Sequence, residues 1–344
     1  MKERIAQFQK RIRGDAAIIE NPTDLLYLTG MHLSRGVLAA TKNEAVLYVD
    51  GRYFAKASKE APCDVKLLDT EALARFLREA KVEKLEYDSA QTSCDRLFAL
   101  QKESEQVELI PKSRILKLER GVKDLEEISA LKRAAALTWR GCQHAASLLK
   151  EGITEEEIAF EFEYYVRKHG ASGLSFEPIV AFGENSAYPH YRAGKAKLQN
   201  DQIVLIDVGA IVDSYRGDLT RVHFFGKPHP ELQKMLEITQ AAQRAAIETI
   251  RPGVKLEEVD RAARDVFRNE GVESLFVHGL GHGIGLETHE FPSLKTGNGD
   301  GELSLEPGTV FTVEPGLYRP GLGGVRWEDM VCVTDKGVEI LTHD

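Results

Sequence analysis

The sequence contains no apolar run that approaches the roughly 18 residues needed by a membrane-spanning helix. Basic residues near the N-terminus are not followed by the apolar core of a secretory signal. Long basic runs are also missing, and the net charge of −9 does not fit the electrostatic pattern of a nucleic-acid-binding protein. These absences predict a cytoplasmic protein that binds neither membranes nor nucleic acids.

The sequence is also poor in the motifs of common zinc and nucleophile sites. Its four cysteines lie far apart, without the paired spacing of zinc or redox sites, and are therefore expected to be reduced thiols. The His-Glu-x-x-His zinc motif is missing, as are serine-nucleophile and cysteine-nucleophile patterns. A catalytic function would therefore need a different set of residues.

With 344 residues, of which 42% are hydrophobic and 29% charged, the chain has the length and composition of a folded protein with two domains. The first predicted domain, 1–118, is an α/β unit with strands at 36–40 and 45–49. A charged connector around 111–123 places the boundary there. Residues 119–344 then form the second domain.

The second domain is predicted to alternate pairs of helices with strands. One helix starts near Leu125, and another follows Thr154, where Glu157 three residues later indicates a capping box. Two more helices are predicted over 230–250 and 255–269. Segments of β type are predicted at 176–182, 203–210, 220–225, 309–318 and 324–334.

An internal repeat underlies this order of elements. The segment that starts at Gly152 matches the one that starts at Gly253, at an offset of 101 residues. The strand that ends near Asp207 matches the strand that ends near Glu314, at an offset of 107 residues. Two such halves, packed face to face, predict a central cleft that contains both carboxylates.

Four carboxylates are candidates for that cleft. Asp207 follows a buried-type strand, where a carboxylate must be paired, protonated or bound to a cation, although this residue alone could equally cap a turn. Asp218 follows eleven residues later across a predicted hairpin, and Glu314 and Glu328 repeat the arrangement fourteen residues apart. Each pair of charges about 4 Å apart costs about 4 kcal/mol at an effective dielectric near 20, and bound divalent cations relieve this repulsion best.

His282 adds an imidazole to the four carboxylates. It lies in the glycine-rich segment 278–285, whose composition disfavours a helix and would let the backbone approach a metal centre closely. One imidazole among four carboxylates favours manganese, with cobalt, iron or zinc as alternatives, and disfavours a structural zinc site. Two ions about 3.5–4 Å apart can activate a shared water for amide hydrolysis.

Motifs spread over nearly the whole chain match one known family. In the second domain they occupy 176–191, 203–221, 278–290, 311–318 and 323–331. These stretches resemble the pita-bread metallopeptidases, which include prolidase, aminopeptidase P, methionine aminopeptidase and creatinase. The segments 21–30 and 49–54 are similar to the N-terminal domain of the Xaa-Pro branch. The resemblance implies an α/β (α+β) protein, with a C-terminal pita-bread fold of pseudo-two-fold symmetry after a smaller creatinase-type domain.

The resemblance also implies how the metal ligands are shared. Asp207 would bind one ion, and His282 and Glu314 would bind the other. Asp218 and Glu328 would bridge the two ions. The resemblance further implies a homodimer, in which the N-terminal domain of one subunit helps to close the cleft of the other.

Further residues are implied at the scissile bond and around the substrate. Glu314 would accept a proton from the attacking water, and His190 and His289 would hold the substrate and move protons. Other implied substrate contacts are Tyr215, His278 and Arg326. Three of these have simpler explanations: a surface residue for His190, a hydrogen-bonded core imidazole for His289, and an ion pair with a neighbouring carboxylate for Arg326.

Hydrolysis of the peptide bond before proline, by a prolidase-like Xaa-Pro dipeptidase, is the predicted function. The alternative within the family is an aminopeptidase P that acts on longer peptides. Many prolidases carry an arginine shortly after the His-Glu-x-Pro segment, whereas here Pro292 is followed by Ser293 and the nearest basic residue is Lys295. Remoter alternatives are a metal-free creatinase-like enzyme and a non-enzymatic binding protein of the same fold.

Overall fold

The chain divides between Lys117 and Leu118 into two units, Met1–Lys117 and Leu118–Asp344. The computed structural model describes residues 1–295, 297 and 300–343. The division into domains 1–118 and 119–344 stays a prediction.

The first unit is an alternation of strands and helices. Its helices are α1 (Lys2–Arg11), α2 (Pro22–Thr29), α3 (Gly51–Glu60), α4 (Ala72–Glu79) and α5 (Cys94–Glu103). Its strands are β1 (Ala16–Ile19), β2 (Gly36–Thr41), β3 (Ala45–Val49), β4 (Asp64–Leu67), β5 (Lys84–Asp88) and β6 (Glu108–Lys112). They form one sheet in the order β4-β3-β2-β1-β5-β6. The two predicted strands are confirmed as β2 and β3.

Local sequence signals set the bounds of α2. The Asn21 side chain accepts hydrogen bonds from the backbone nitrogens of Thr23 at 2.9 Å and Asp24 at 3.1 Å, which satisfies two donors of the first turn. Pro22 occupies the first helical position, where a missing N–H costs nothing. The helix ends at Gly30, whose φ of +71° suits glycine.

The second unit contains four long helices and several small sheets. Its helices are α6 (Lys117–Gly121), α7 (Leu125–Ser147), α8 (Glu155–Lys168), α9 (Pro230–Thr249) and α10 (Leu256–Asn269), with 3-10 turns at Gly183–Ala187 and Glu273–Leu275. Strands of the first half are β7 (Gly173–Leu174), β8 (Ile179–Phe182), β9 (Gln202–Val208), β10 (Ala210–Val212), β11 (Tyr215–Arg216) and β12 (Leu219–Phe225). Strands of the second half are β13 (Gly281–Gly283), β14 (Glu290–Leu294), β15 (Val310–Val313), β16 (Gly316–Arg319), β17 (Gly323–Arg326), β18 (Asp329–Thr334) and β19 (Gly337–Ile340). Within the described ranges of both units, no helix has the length and apolarity to cross a membrane.

The repeat seen in the sequence is a structural repeat. Gly152 and Gly253 precede α8 and α10 with φ values of +83° and +85°, a backbone conformation that favours glycine. Their amides donate to the carbonyls of Leu198 at 2.8 Å and Leu305 at 2.9 Å, two leucines separated by the same 107 residues as Asp207 and Glu314. In each half, therefore, the same backbone hydrogen bond joins the start of the second helix to a leucine that precedes a strand.

Two predicted β segments are each divided in two. The segment 309–318 becomes β15 and β16, because Pro315 has no N–H to continue the ladder and the chain leaves the sheet at Glu314. The segment 324–334 becomes β17 and β18, with Trp327 and Glu328 between them. Glu314 and Glu328 thus lie between strands, where side chains need not alternate between the two faces of a sheet.

Candidate metal centre and active site

Each half of the second unit places two carboxylates at one end of an antiparallel strand pair. In the first half, Asp207 on β9 pairs with Thr220 on β12, and Asp218 lies just before β12. The chain reaches Asp218 through the predicted hairpin, formed by β10 and β11. In the second half Val313 pairs with Asp329 at the end of the β15–β18 ladder, so Glu314 and Glu328 flank its last pair.

A cavity of about 450 Å³ collects nearly all the predicted site residues. Its lining includes nine of the ten: His190, Asp207, Asp218, His278, His282, His289, Glu314, Arg326 and Glu328. Tyr215 is not among the described residues that line it. The Tyr215 hydroxyl donates instead to Glu127 Oε1 of α7, at 2.9 Å.

The donors in this cavity fit divalent cations. Asp218, His282 and Glu328 each offer a ligand atom, and these atoms lie within 4.8 Å of one another. His282 Nε2 lies 3.4 Å from Glu314 Oε1. Asp207 Oδ1 is buried without a hydrogen-bond partner in the described part of the chain, which is costly for a carboxylate oxygen unless a cation satisfies it.

Burial and mutual repulsion raise the pKa values of the acidic groups. Burial, and then the charges of neighbouring carboxylates, raise the pKa values of Asp218 and Glu328 well above their usual range. Burial raises the pKa of Glu314 to about 8. Burial also raises the pKa of Asp207, although Arg326 opposes the rise. A set of carboxylates that resists joint ionisation is one that cations would stabilise.

The His282 imidazole is oriented for metal binding. Its Nδ1 lies 3.1 Å from the Gly283 carbonyl oxygen, which can only accept, so this nitrogen carries the hydrogen. The Nε2 lone pair therefore faces the carboxylates. Burial, and then His289, lower the pKa of His282 to about 3, so the ring is neutral at physiological pH. A neutral imidazole whose far nitrogen bonds a carbonyl is the usual state of a metal-binding histidine.

Arg326 lies buried beneath the cavity, and each of its nitrogens has a partner. Nη2 donates to Asp207 Oδ2 at 2.5 Å, Nη1 to the Tyr318 hydroxyl at 2.8 Å, and Nε to Thr220 Oγ1 at 3.0 Å. The guanidinium thus compensates one of the four carboxylates. In this arrangement Arg326 holds Asp207, and two of its five N–H groups are not used by these three bonds; its contact with substrate stays a prediction.

The remaining histidines of the predicted site also line the cavity. His278 Nδ1 lies 2.8 Å from the Gly279 carbonyl, so its Nε2, 2.9 Å from the Tyr318 hydroxyl, accepts that hydroxyl's hydrogen. Burial, and then Arg326, lower the pKa of His278 to about 4. The rings of His289 and His282 meet edge to face at 4.2 Å. Burial also lowers the pKa of His289.

Gly281 and Gly283 in the segment 278–285 lie against the backbones of neighbouring strands, whereas the sequence predicted a close approach to a metal centre. A side chain at Gly281 would collide with the Thr312 carbonyl of β15, and one at Gly283 with the Phe291 carbonyl of β14. These glycines therefore let two strands approach β13 on either side. The close approach that glycine permits is between backbones, and it sets where His282 stands.

A buried charge cluster fixes the loop that carries His289. Glu290 accepts from Lys123 Nζ at 2.8 Å and from Arg120 Nη2 at 2.5 Å, and Arg120 also bonds Glu287 at 2.7 Å. Burial pushes the pKa of Glu290 up, but Lys123 and Arg120 outweigh it and the pKa lies below its usual value. Glu290, in the motif stretch 278–290, thus anchors the turn between β13 and β14.

Lys123→Met is expected to destabilise the protein by about 3 kcal/mol, because it removes a partner from a carboxylate that stays buried. Urea unfolding monitored by circular dichroism measures the change. Lys132→Met is the matched control: Lys132 bonds Glu339 at a similar 2.7 Å, but both side chains are more than 40% exposed, and such pairs contribute about 0–1 kcal/mol. Equal losses for the two variants would contradict the anchoring role.

Several contacts of the site were not predicted from the sequence. They are made by Thr220, Thr312, Tyr318 and Arg221, of which the last donates to the Glu328 carbonyl at 2.6 Å and to Asp329 Oδ1 at 2.6 Å. All four lie inside the motif stretches, Thr220 and Arg221 in 203–221, and Thr312 and Tyr318 in 311–318. Position in a motif was therefore the one available signal.

Two family models match the sequence. The model described as metallopeptidase family M24 matches residues 129–335, which include every residue that lines the cavity. The model described as the creatinase/prolidase N-terminal domain matches residues 3–122. These matches confirm the resemblance inferred from the motifs.

Curated relatives include uncharacterized peptidases from staphylococci. One from Staphylococcus epidermidis is 35% identical over 337 residues, which is 96% of this chain and 95% of the relative. One from Staphylococcus aureus is 39% identical over 224 residues, which is 65% of this chain and 63% of the relative. The match therefore spans less than two thirds of the length of the second protein.

Solved structures with the same fold include enzymes described as proline-directed. A Xaa-Pro dipeptidase from Bacillus anthracis is 32% identical, with a TM-score of 0.94 and coverage of 100% of this chain and 97% of that one. An X-Pro aminopeptidase from Thermotoga maritima is 31% identical, with a TM-score of 0.90 and coverage of 98% of both chains. With a pita-bread unit after a creatinase-type N-terminal unit, and with a cavity of converging carboxylates, the chain belongs to metallopeptidase family M24 and is a peptidase of that family.

Proposed function

We propose that this protein hydrolyses the peptide bond that precedes proline. The observation that carries the proposal is the convergence of four carboxylates, three of them buried, and the Nε2 lone pair of His282 on one cavity, where Asp207 Oδ1 has no partner among the described residues. Solved structures that are similar to it include a Xaa-Pro dipeptidase and an X-Pro aminopeptidase.

Two divalent ions are the proposed cofactors, and manganese is the preferred metal. Asp207 would hold one, His282 and Glu314 would hold the other, and Asp218 and Glu328 would serve both. When bound, such ions supply an activated water and polarise the substrate carbonyl. The carboxylate-rich donor set supports manganese over a structural zinc site.

The chain's own groups then bind the peptide and move protons. Glu314 takes a proton from the attacking water. The imidazoles of His289 and His190 hold the peptide in the cavity, and His278 contacts it beside them. Phe176, Ile179 and Pro189 also line the cavity, and they provide an apolar surface for the pyrrolidine ring.

The state of Arg326 bears on substrate length. Three of its five N–H groups are already bonded and its side chain is 4% exposed, so it presents little surface to a dipeptide's carboxylate. The cavity lining contains two other basic residues, Lys295 and Arg192. We propose that Lys295 receives the carboxylate of an Xaa-Pro dipeptide, which keeps dipeptidase as the first candidate and aminopeptidase as the second.

Lys295→Met is expected to raise the KM for Ala-Pro about fivefold, because one charge-assisted contact at an exposed position contributes about 1 kcal/mol. The KM for Ala-Pro amide, which has no carboxylate, is expected not to change. Arg192→Met is the matched control on the same rim and is expected to alter neither. Equal effects on the two substrates would show that Lys295 does not select the carboxylate.

A length series tests the function itself. Ala-Pro and Arg-Pro-Pro are assayed with the purified protein and manganese, cobalt or zinc. Preferred cleavage of Ala-Pro supports the dipeptidase, and preferred cleavage of Arg-Pro-Pro supports the aminopeptidase. If neither peptide is cleaved with any of the three ions, the proposal is wrong. The metal content of the purified protein separates both from a metal-free creatinase-like enzyme or a binding protein.

A homodimer is proposed for the assembled enzyme, on the basis of the family resemblance. Static light scattering at micromolar concentration measures the mass directly. A monomer's mass under these conditions would contradict the proposal.

A further inference from the structure

Two fully buried threonines stand next to the carboxylate cluster. Thr220 lies on β12, two residues after Asp218, and Thr312 lies on β15, two residues before Glu314. Both have an exposed fraction of 0%. The mechanism proposed above uses neither hydroxyl.

Each hydroxyl receives a hydrogen bond from a group that can only donate. Arg326 Nε lies 3.0 Å from Thr220 Oγ1, and the backbone nitrogen of His282 lies 3.1 Å from Thr312 Oγ1. A guanidinium nitrogen and an amide nitrogen have no lone pair to accept with. The single hydrogen of each threonine must therefore point elsewhere.

In both places a carboxylate of the proposed metal site takes that hydrogen. Thr220 Oγ1 lies 2.6 Å from Glu328 Oε2, and Thr312 Oγ1 lies 3.4 Å from Glu314 Oε1. Because the donor behind each threonine fixes the direction of its hydrogen, the bond also fixes how the carboxylate is turned. One oxygen is held by the threonine, and the remaining lone pairs stay available to a cation.

We propose that Thr220 and Thr312 are positioning residues that orient Glu328 and Glu314 for divalent cations before any ion binds. This rests on the proposed function, since it takes those carboxylates as ligands. The shorter contact predicts the larger contribution from Thr220. That contact also crosses the repeat, because Thr220 belongs to the first half and Glu328 to the second.

The test compares manganese affinity in isosteric variants of the full chain. Thr220→Val and Thr312→Val are freed of metal by chelation and titrated with Mn²⁺ in a calorimeter. Loss of a supporting hydrogen bond to a metal ligand typically weakens metal binding about 10–100-fold. We expect that range for Thr220→Val, a smaller loss for Thr312→Val, and restoration by Thr220→Ser, which keeps the hydroxyl.

Thr239→Val is the matched control. Thr239 is also fully buried, on α9, and its hydroxyl has no hydrogen-bond partner among the residues described. Its replacement is expected to leave manganese affinity within twofold of wild type. Thermal unfolding of each metal-free variant reports whether the fold is kept, which matters because Thr220→Val also removes an acceptor from Arg326.

The outcomes separate the inference from the function on which it rests. A folded Thr220→Val protein with wild-type manganese affinity overturns the inference. If Thr220→Val does not fold, Thr312→Val decides: weakened binding supports the inference and wild-type binding overturns it. A wild-type protein that binds neither Mn²⁺, Co²⁺ nor Zn²⁺ overturns the proposed function, and that result appears before any substitution is made.

Discussion

Asp218→Asn is expected to abolish hydrolysis of Xaa-Pro peptides. Asp218 Oδ2 lies 3.7 Å from His282 Nε2, and Asp218 belongs to the group of three ligand atoms that can hold a cation. Asparagine keeps the shape but removes the charge. Since losing a ligand costs more than losing a supporting hydrogen bond, we expect kcat/KM to fall by more than about 100-fold.

The same substitution is expected to leave the metal-free protein at least as stable as the wild type. Burial, and then the charge of Glu328, oppose ionisation of Asp218, and a neutral amide is subject to neither. Urea midpoints in the presence of a chelator measure this, beside kcat/KM for Ala-Pro with manganese. Asp335→Asn, an exposed carboxylate in the turn after β18, serves as the control and should change neither. Retained activity in Asp218→Asn would contradict its assignment as a metal ligand.

The metal-free protein is expected to lose stability as the pH rises from 6.5 to 8. Burial raises the pKa of Glu314 from 4.5 to about 8, so in this range the folded state keeps a proton that the unfolded state has released. Stability then falls as the pH rises, by about 2 kcal/mol from this group over the window. The raised pKa values of Asp218 and Glu328 act in the same direction.

The lower limit of that window is set by the buried imidazoles. Burial lowers the pKa values of His282 to about 3 and His278 to about 4. Below pH 6.5 the unfolded state therefore binds protons at these two histidines that the folded state does not bind. Their contribution lowers the stability of the protein as the pH falls. Between pH 6.5 and 8 this opposing contribution is only about 0.4 kcal/mol for each imidazole, so the carboxylates dominate.

Urea unfolding in a chelator at pH 6.5 and pH 8 measures the effect. Glu314→Gln should reduce the dependence, because glutamine does not titrate and only Asp218 and Glu328 remain to contribute. Saturating manganese should also remove it, since cations bind the ionised carboxylates. A metal-free protein that is more stable at pH 8 than at pH 6.5 would contradict the prediction.

The arrangement of the cluster could be predicted because it depends on chain order. Asp207 and Glu314 follow apolar strands, and the repeat places them at equivalent positions of two halves. Pairing of neighbouring strands then brings Asp218 and Glu328 beside them. Elements with strong local signals, such as the capping box at Thr154 and Glu157, were also predicted correctly: the two reciprocal hydrogen bonds are formed at 3.2 and 2.7 Å.

Side-chain partners could not be predicted, because they depend on packing between segments far apart in sequence. Arg326 was expected to contact substrate, and nothing in its spacing shows that its nitrogens are bonded to Asp207, Tyr318 and Thr220. Tyr215 lies only three residues from Asp218, yet its hydroxyl reaches Glu127 on a helix 88 residues earlier. In both cases the hydrogen-bond partners are set by which helix or strand packs against the residue, and the motif does not show this.

The two-half construction of the cluster has a consequence for folding. Cations held by Asp207 and Asp218 from one half and by Glu314 and Glu328 from the other would act as reversible cross-links between segments about a hundred residues apart. Like any ligand that binds only the folded state, they would add stability in proportion to the logarithm of their free concentration. Scarcity of metal would then reduce the lifetime of the folded chain together with its activity, and returning the metal would restore both.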